Sequence, residues 1–388
     1  QPNYPMKLRH KKTLRLATSL ASLCLLAHAS AQPKELPPPP APADVPSPGP
    51  QTDAPYAPTP IVPGGVVVPL YPADSPHLNQ DRVHEAETYG SYSPPHLGYI
   101  VNIHNPSIEF HAANGALNTG TTVILAAGGG HNNLNVVGEG ADVVPFLKAN
   151  GINAVILRNR LRSDGYDPKT DGVRDAQQAV ALVRAYAGHW NLDPDRIGIV
   201  GFSAGAELAA AAALYYDAFD AQLDQSGDPL AKVSSRPDFI ALVYPGPSPF
   251  AFGGSAEIPR DAPPAFFATP GWGDWIHAVW ADDYFTALLY DGVPNVEMHV
   301  YARGVHPGDR SQPTQAPATA GITSRGGVAF GKWQESFLHW LDDLGFMQTP
   351  GVETQAAQDV AANLDRPDRL KQLQERIAAR KAAAEEKN

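Results

Sequence analysis

A serine set between two glycines, Gly201-Phe202-Ser203-Ala204-Gly205, is the stretch of this sequence best suited to chemistry. Serine is a poor nucleophile until a base takes its proton and a third group orients that base. The surroundings suit such a role. The apolar run Ile197-Gly198-Ile199-Val200 precedes the motif, and an alanine-rich run from Ala206 to Leu214 follows it. Strand, tight turn and helix is the context that exposes a serine at the tip of the turn. The chain must approach itself closely on both sides of that serine, and glycine lacks the Cβ that would clash. The helix N-terminus beneath supplies unpaired N–H groups and a positive partial charge.

The partners of such a serine follow it in the order acid, then histidine, each just after a strand. His306 meets the requirement in Arg303-Gly304-Val305-His306-Pro307-Gly308, after the strand expected over Val296–Tyr301. Asp274, in Gly271-Trp272-Gly273-Asp274-Trp275, stands 32 residues earlier, an interval that fits one helix and one strand. Asp282 and Asp283 are alternatives, but they fall where the next helix is expected to begin, and acidic residues favour a helix N-terminus for its own sake. Acyl transfer also needs N–H donors aimed at the oxygen that becomes negative. Ala204 offers one, and Gly128-Gly129-Gly130, after an expected strand over Thr121–Ala127, is placed to offer others.

Several nearby residues have two readings. Trp272 and Trp275 flank the acid and suit stacking on sugar rings or ordinary packing. His131, Asn132 and Asn133 follow the glycines and suit hydrogen bonds to substrate hydroxyls, or bonds from Asn to its own backbone. Arg158, Arg160 and Arg162 are read as structural partners of Asp171 or Asp175 rather than as substrate ligands.

The elements that must hold these groups alternate. Strands are expected at Val66–Leu70, Ser107–His111, Thr121–Ala127, Ala154–Leu157, Ile197–Val200, Phe239–Tyr244, Ala265–Thr269 and Val296–Tyr301. Helices are expected at Glu139–Asn150, Val173–Ala187, Ala206–Leu214, Ala281–Tyr290 and Lys332–Leu344, the last with Trp333, Phe337, Trp340 and Leu344 inward. Asp217 to Pro237 reads as polar and irregular. The rhythm predicts an α/β class with a mostly parallel central sheet covered by helices on both faces. Such sheets carry their sites at the carboxyl ends of the strands.

The flanks differ in composition. From Met6, the basic Lys7, Arg9, Lys11, Lys12 and Arg15, the apolar Leu16 to Ala27 and the Ala29-Ser30-Ala31 site read as a secretory signal over 1–31, with residues 1–5 upstream of it. Loss of 1–31 removes five basic and no acidic residues and takes the formal charge from −11 to −16, which argues against a nucleic-acid partner. It also removes Cys24, the sole cysteine, so neither disulfides nor a cysteine metal site are expected. No metal, cofactor or stable membrane insertion is expected. Residues 32–60 read as a Pro-rich linker, 61–348 as the catalytic domain and 349–388 as a charged, Ala-rich tail in which Leu370, Leu373 and Ile377 are too few for a sustained coiled coil.

Taken together, Ala127-Gly128-Gly129-Gly130-His131, Asp175-Ala176-Gln177-Gln178-Ala179, Asp195 to Gly205 and Gly304-Val305-His306 make the chain resemble the α/β-hydrolases. The likeness is to the esterase group that includes acetyl-xylan esterases and hormone-sensitive-lipase-like carboxylesterases, over about residues 61 to 348. The resemblance implies Ser203 as nucleophile, Asp274 and His306 as its partners, and Gly129, Gly130 and Ala204 as oxyanion donors. It also implies a secreted or periplasmic esterase for short-chain, acetyl esters of carbohydrate. Three departures from the family pattern stand out: Ala127 before the glycines, Glu207 two residues after Gly205, and the Gly-Trp-Gly-Asp-Trp setting of the acid. The alternatives are a serine peptidase, a general carboxylesterase or lipase, and a non-catalytic scaffold that binds sugar or a partner.

Overall fold

The computed structural model describes residues 44–47, 52–92, 94–226, 228–306, 329–367 and 369–385; the expected signal segment, 1–31, lies outside them. Its central strands are near-continuous apolar runs because both faces are covered. Every residue is buried in β5 (Thr122–Ala126), β6 (Asn153–Arg158), β7 (Ile197–Phe202) and β8 (Phe239–Val243). With β1 (Val66–Pro69), β4 (Ser107–His111), β9 (Ala265–Trp272) and β10 (Glu297–Arg303) they form one eight-stranded sheet, ordered β1-β4-β6-β5-β7-β8-β9-β10. The first two pairings are antiparallel and the rest parallel. A separate antiparallel pair, β2 (Thr88–Gly90) with β3 (Tyr99–Val101), is an addition to the elements legible in the sequence.

Side chains alternate across the sheet and divide the core in two. Ile124 and Ala126 of β5 face one cluster, while Val123 and Leu125 face the other. The first cluster holds α2 (Val173–Ala185), α3 (Ala187–Trp190), α4 (Ala204–Ser226) and α5 (Trp275–Asp291). The second holds α1 (Val144–Ala149) and α6 (Trp333–Asp343), with Trp333, Phe337, Trp340 and Leu344 buried against the strands.

Three helix boundaries differ from the sequence reading. Helix α4 does not stop at Leu214. It runs to Ser226 through a break at Tyr215, because Tyr216, Phe219 and Leu223 continue its buried face into the stretch read as irregular. Helix α5 begins at Trp275 rather than Ala281, so Asp282 and Asp283 lie within it and not at its start. The helix expected over Glu139–Asn150 is divided into a wide turn, Val137–Ala141, and α1, where Pro145 at the first turn cannot donate a backbone hydrogen bond.

Buried charge fixes the flanks to this frame. Arg158 pairs with Glu87 at 2.9 Å and Glu109 at 2.7 Å, and Arg160 pairs with Asp175 at 2.7 Å and Asp171 at 3.2 Å. The aspartate pairing expected for this arginine group is therefore made by Arg160, while Arg158 turns to glutamates. Arg158 also donates to the Thr59 carbonyl at 2.7 Å, and the Tyr56 N–H donates to the Val83 carbonyl at 2.9 Å. Residues 56–59 of the Pro-rich stretch thus lie on the domain. At the other end, the buried Arg196 donates to the carbonyls of Thr119, Gln348, Thr349 and Val352. Helix α7 (Gln355–Ala362) is capped by Thr354 and buries Ala356 and Val360. Helix α8 (Arg369–Glu385) follows, with Leu370, Leu373 and Ile377 exposed.

Candidate active site

The turn between β7 and α4 holds Ser203 at φ 51°, in the left-handed region. That conformation costs a non-glycine residue about 1–2 kcal/mol. It is over-determined by its neighbours. The Ser203 N–H donates to the Val243 carbonyl at 3.0 Å, and the Ser203 carbonyl accepts from Ala206 and Gly246 at 3.0 Å each. The flanking glycines are dictated by space. A Cβ on Gly201 would stand 2.5 Å from the Ala206 Cα, and one on Gly205 would stand 2.0 Å from the Ala126 carbonyl oxygen.

Across from this turn, the ends of β9 and β10 bring the acid and the base together. Ser203 Oγ lies 3.0 Å from His306 Nε2, and His306 Nδ1 lies 3.0 Å from Asp274 Oδ2. Gly273, at φ 103°, makes the turn that places Asp274 at the N-terminus of α5; a Cβ there would stand 2.3 Å from the Gly304 carbonyl oxygen in the histidine loop. The alternatives lie elsewhere: Asp283 accepts from the Phe252 N–H at 3.0 Å, and Asp282 is exposed.

Asp274 carries a second imidazole that the sequence reading missed. His277 Nδ1 lies 2.5 Å from Asp274 Oδ1, and its ring stacks on that of His306 with centroids 3.9 Å apart and planes 12° apart. Once α5 starts at Trp275, residues 274 and 277 are one turn apart, and this was the signal available. Burial alone would raise the Asp274 carboxyl, but hydrogen bonds from His277 and His306, with their charges, outweigh it and hold the carboxyl below its ordinary value.

The glycine loop after β5 is held by a buried carboxyl. Glu139 Oε2 accepts from the Gly128 N–H at 2.6 Å, and Glu139 Oε1 accepts from the Tyr244 hydroxyl at 2.8 Å. Tyr244, at φ 39°, also sets its ring edge-on to His306, centroids 5.0 Å apart. Glu139 and Tyr244 therefore connect the glycine loop to the histidine, and neither was recognised in the sequence. Gly129 and Gly130 follow with φ 131° and 61°. Among the described residues, no hydrogen bond uses the N–H of Gly129, Gly130 or Ala204.

The remaining residues singled out divide. His131, at φ 60° and buried, places Nε2 3.3 Å from the Glu207 carboxylate, so the departure at position 207 has a partner in the loop. Asn132 donates to its own loop, at the Gly130 carbonyl, 3.1 Å away. Trp272 and Trp275 are 80% and 65% exposed beside the acid, with Phe252 at 74%; ordinary packing does not account for them. Chemically, the arrangement offers a hydroxyl bonded to an imidazole and an imidazole fixed by a carboxylate.

Residues 111–243 match the BD-FAE family model. The chain is 28% identical to an acetylxylan esterase from Xylanibacter ruminicola over 127 residues, which are 33% of this chain and 23% of that protein. It is 32% identical to endo-1,4-beta-xylanase B from Butyrivibrio fibrisolvens over 73 residues, 19% of this chain and 11% of the other. The chain thus spans less than a quarter of the length of either curated relative. Among solved structures, it superposes on an acetyl ester-xyloside bifunctional hydrolase from Caldicellulosiruptor lactoaceticus with a TM-score of 0.53 at 22% identity, over 74% of this chain and 99% of that one. A carboxylesterase from Lactobacillus plantarum gives 0.50 at 16%, over 67% and 97%. The architecture is that of an α/β-hydrolase.

Proposed function

We propose that this protein is an exported serine esterase that removes short acyl groups, acetyl above all, from carbohydrate. The observation that carries the reading is the continuous relay from Ser203 Oγ through His306 to Asp274, with bonds of 3.0 Å at both steps. His306 takes the Ser203 proton through Nε2 as Oγ attacks the ester carbonyl. Asp274 accepts from Nδ1, fixes the tautomer and stabilises the imidazolium. The N–H groups of Gly129, Gly130 and Ala204 bind the tetrahedral oxyanion, each such donor being worth about 3 kcal/mol of barrier. The imidazolium then gives its proton to the departing sugar oxygen. Water, deprotonated by the same histidine, hydrolyses the acyl-enzyme and restores Ser203.

The carbohydrate part of the reading is supported by the exposed Trp272 and Trp275 beside the acid and by the acetylxylan esterase relative. Export is supported by the basic, apolar and A-x-A pattern over 1–31. No described helix is long and apolar enough to cross a membrane.

The test is acetate release from acetylated xylan beside hydrolysis of p-nitrophenyl esters of rising chain length, with Ser203→Ala as control. Wild type is expected to prefer acetyl, to label with a fluorophosphonate at Ser203, and to lose both properties in the variant. Asp274→Asn should lower kcat by about 10⁴-fold by imposing the wrong tautomer on His306. Failure of the probe to label Ser203 in folded protein would sink the enzyme reading.

A further inference from the structure

The pair of histidines on one aspartate has a use beyond holding the relay in place. His277 Nδ1 and His306 Nδ1 point at the two oxygens of the same carboxylate, at 2.5 and 3.0 Å. One ligand atom from each of Asp274, His277 and His306 lies within 4.8 Å of the others. In a tetrahedral zinc site with bonds of about 2.0–2.1 Å, neighbouring ligand atoms stand about 3.3 Å apart, so a metal would draw these three side chains together by small side-chain movements. Two imidazoles and a carboxylate are a donor set that zinc and related divalent transition metals accept, and magnesium and calcium do not favour. The carboxylate is 4% exposed, while the His277 and His306 side chains are 16% and 21% exposed, so the cluster is anchored inside and open on its histidine side.

From this the geometry points to an inhibitory site for a divalent transition metal, zinc as the type case, formed by Asp274, His277 and His306. This inference rests on the esterase reading only for its effect on activity, not for binding. The chemistry of inhibition follows from the atoms. A metal on His306 Nδ1 occupies the lone pair there, and the ring proton, by exchange with water, resides on Nε2. Nε2 faces Ser203 Oγ, so a nitrogen that must accept the serine proton becomes a donor that cannot. The metal also draws Asp274 away from its orienting bond. The metal–nitrogen bond replaces the Nδ1–H bond and its hydrogen bond to Asp274, the proton going to water as Nε2 takes one up, and removal of the metal reverses the exchange.

The variant that isolates this idea is His277→Asn. Its side-chain amide can still donate to Asp274 Oδ1 near the position of Nδ1, but an amide is a poor zinc ligand. Binding is measured on the full chain carrying Ser203→Ala, by competition with a chromophoric zinc chelator. One zinc per chain is expected, and adding His277→Asn should weaken binding by about tenfold or more. Activity is measured on the Ser203 protein with p-nitrophenyl acetate. Micromolar zinc should inhibit by more than about tenfold, with reversal by EDTA and no effect of magnesium, and His277→Asn should shift the half-inhibiting zinc concentration upward by about tenfold. The inference is overturned if Ser203→Ala binds no zinc, or if His277→Asn binds and responds to zinc as the parent does. If wild type hydrolyses no ester while Ser203→Ala binds zinc through His277, the esterase reading falls and the metal site stands.

Discussion

Glu139 is the residue through which the glycine loop can be perturbed without touching any group assigned to the reaction. Its carboxyl accepts from the Gly128 N–H at 2.6 Å and from the Tyr244 hydroxyl at 2.8 Å, all out of contact with solvent. Glu139→Ala removes the acceptor of both bonds. Loss of the acceptor of a buried donor costs about 1–3 kcal/mol, so the change at Gly128 should lower stability by about that much. The activity effect follows from position. Gly128 precedes the two glycines assigned to the oxyanion, and releasing it lets their N–H groups leave the line of the developing charge. Loss of one such donor is worth about 3 kcal/mol, or about a hundredfold in kcat. Glu139→Gln makes the contrast. Its amide oxygen can still accept from Gly128, and its NH₂ can donate to the Tyr244 oxygen once that hydroxyl rotates. It should retain kcat within about tenfold and lose about 1 kcal/mol or less. Urea unfolding gives the stability difference, and p-nitrophenyl acetate turnover gives kcat. A folded Glu139→Ala protein that keeps kcat within about threefold of wild type would refute the idea that this carboxyl positions the loop.

Burial raises the Asp142 carboxyl to about 6, so its charged form is disfavoured in the folded chain. This group works against stability as pH climbs from about 4 to 6, and Asp142→Asn should stabilise by about 1–2 kcal/mol at pH 8 and not at pH 4, read by urea unfolding. Trp272→Ala and Trp275→Ala should each raise KM for acetylated xylo-oligosaccharides severalfold and leave p-nitrophenyl acetate turnover nearly unchanged; equal losses on both substrates would argue against sugar stacking. Arg196→Met removes the donor to four carbonyls and should destabilise the chain by about 3–5 kcal/mol, with earlier protease cleavage near residues 348–352.

The central strands were legible because burial on both faces writes an unbroken apolar run, as in Val123 to Ala126 or Phe239 to Val243. The limits of β9 were not. Pro270-Gly271 reads locally as a stop, yet β10 pairs alongside, Tyr301 with Pro270 and Arg303 with Trp272, and carries the strand to Trp272. Helix α5 then starts at Trp275, directly after the turn at Gly273, which places Asp274 and His277 one turn apart. Asp282 and Asp283, expected to open a helix, lie inside one, and Asp274 stands at its head. Ser203 was legible because its motif is local. Glu139 and Tyr244 were not, since residues 105 positions apart share a bond that only the assembled sheet creates. His131 beside Glu207 is of the same kind.

The left-handed backbone at Ser203 bears on how such a protein would age in a genome. Glycine occupies φ 51° without penalty, so Ser203→Gly gives up the proposed nucleophile and relieves about 1–2 kcal/mol of strain, partly offset by the greater freedom of glycine in the unfolded chain. Inactivation at this position is therefore favoured, or at least tolerated, by folding. A lineage released from the need for ester hydrolysis would be expected to lose its serine while the sheet, the buried arginines and the glycine turns persist. Under the proposed function, selection for activity is what opposes that drift at position 203, whereas folding alone suffices to preserve the glycines on either side.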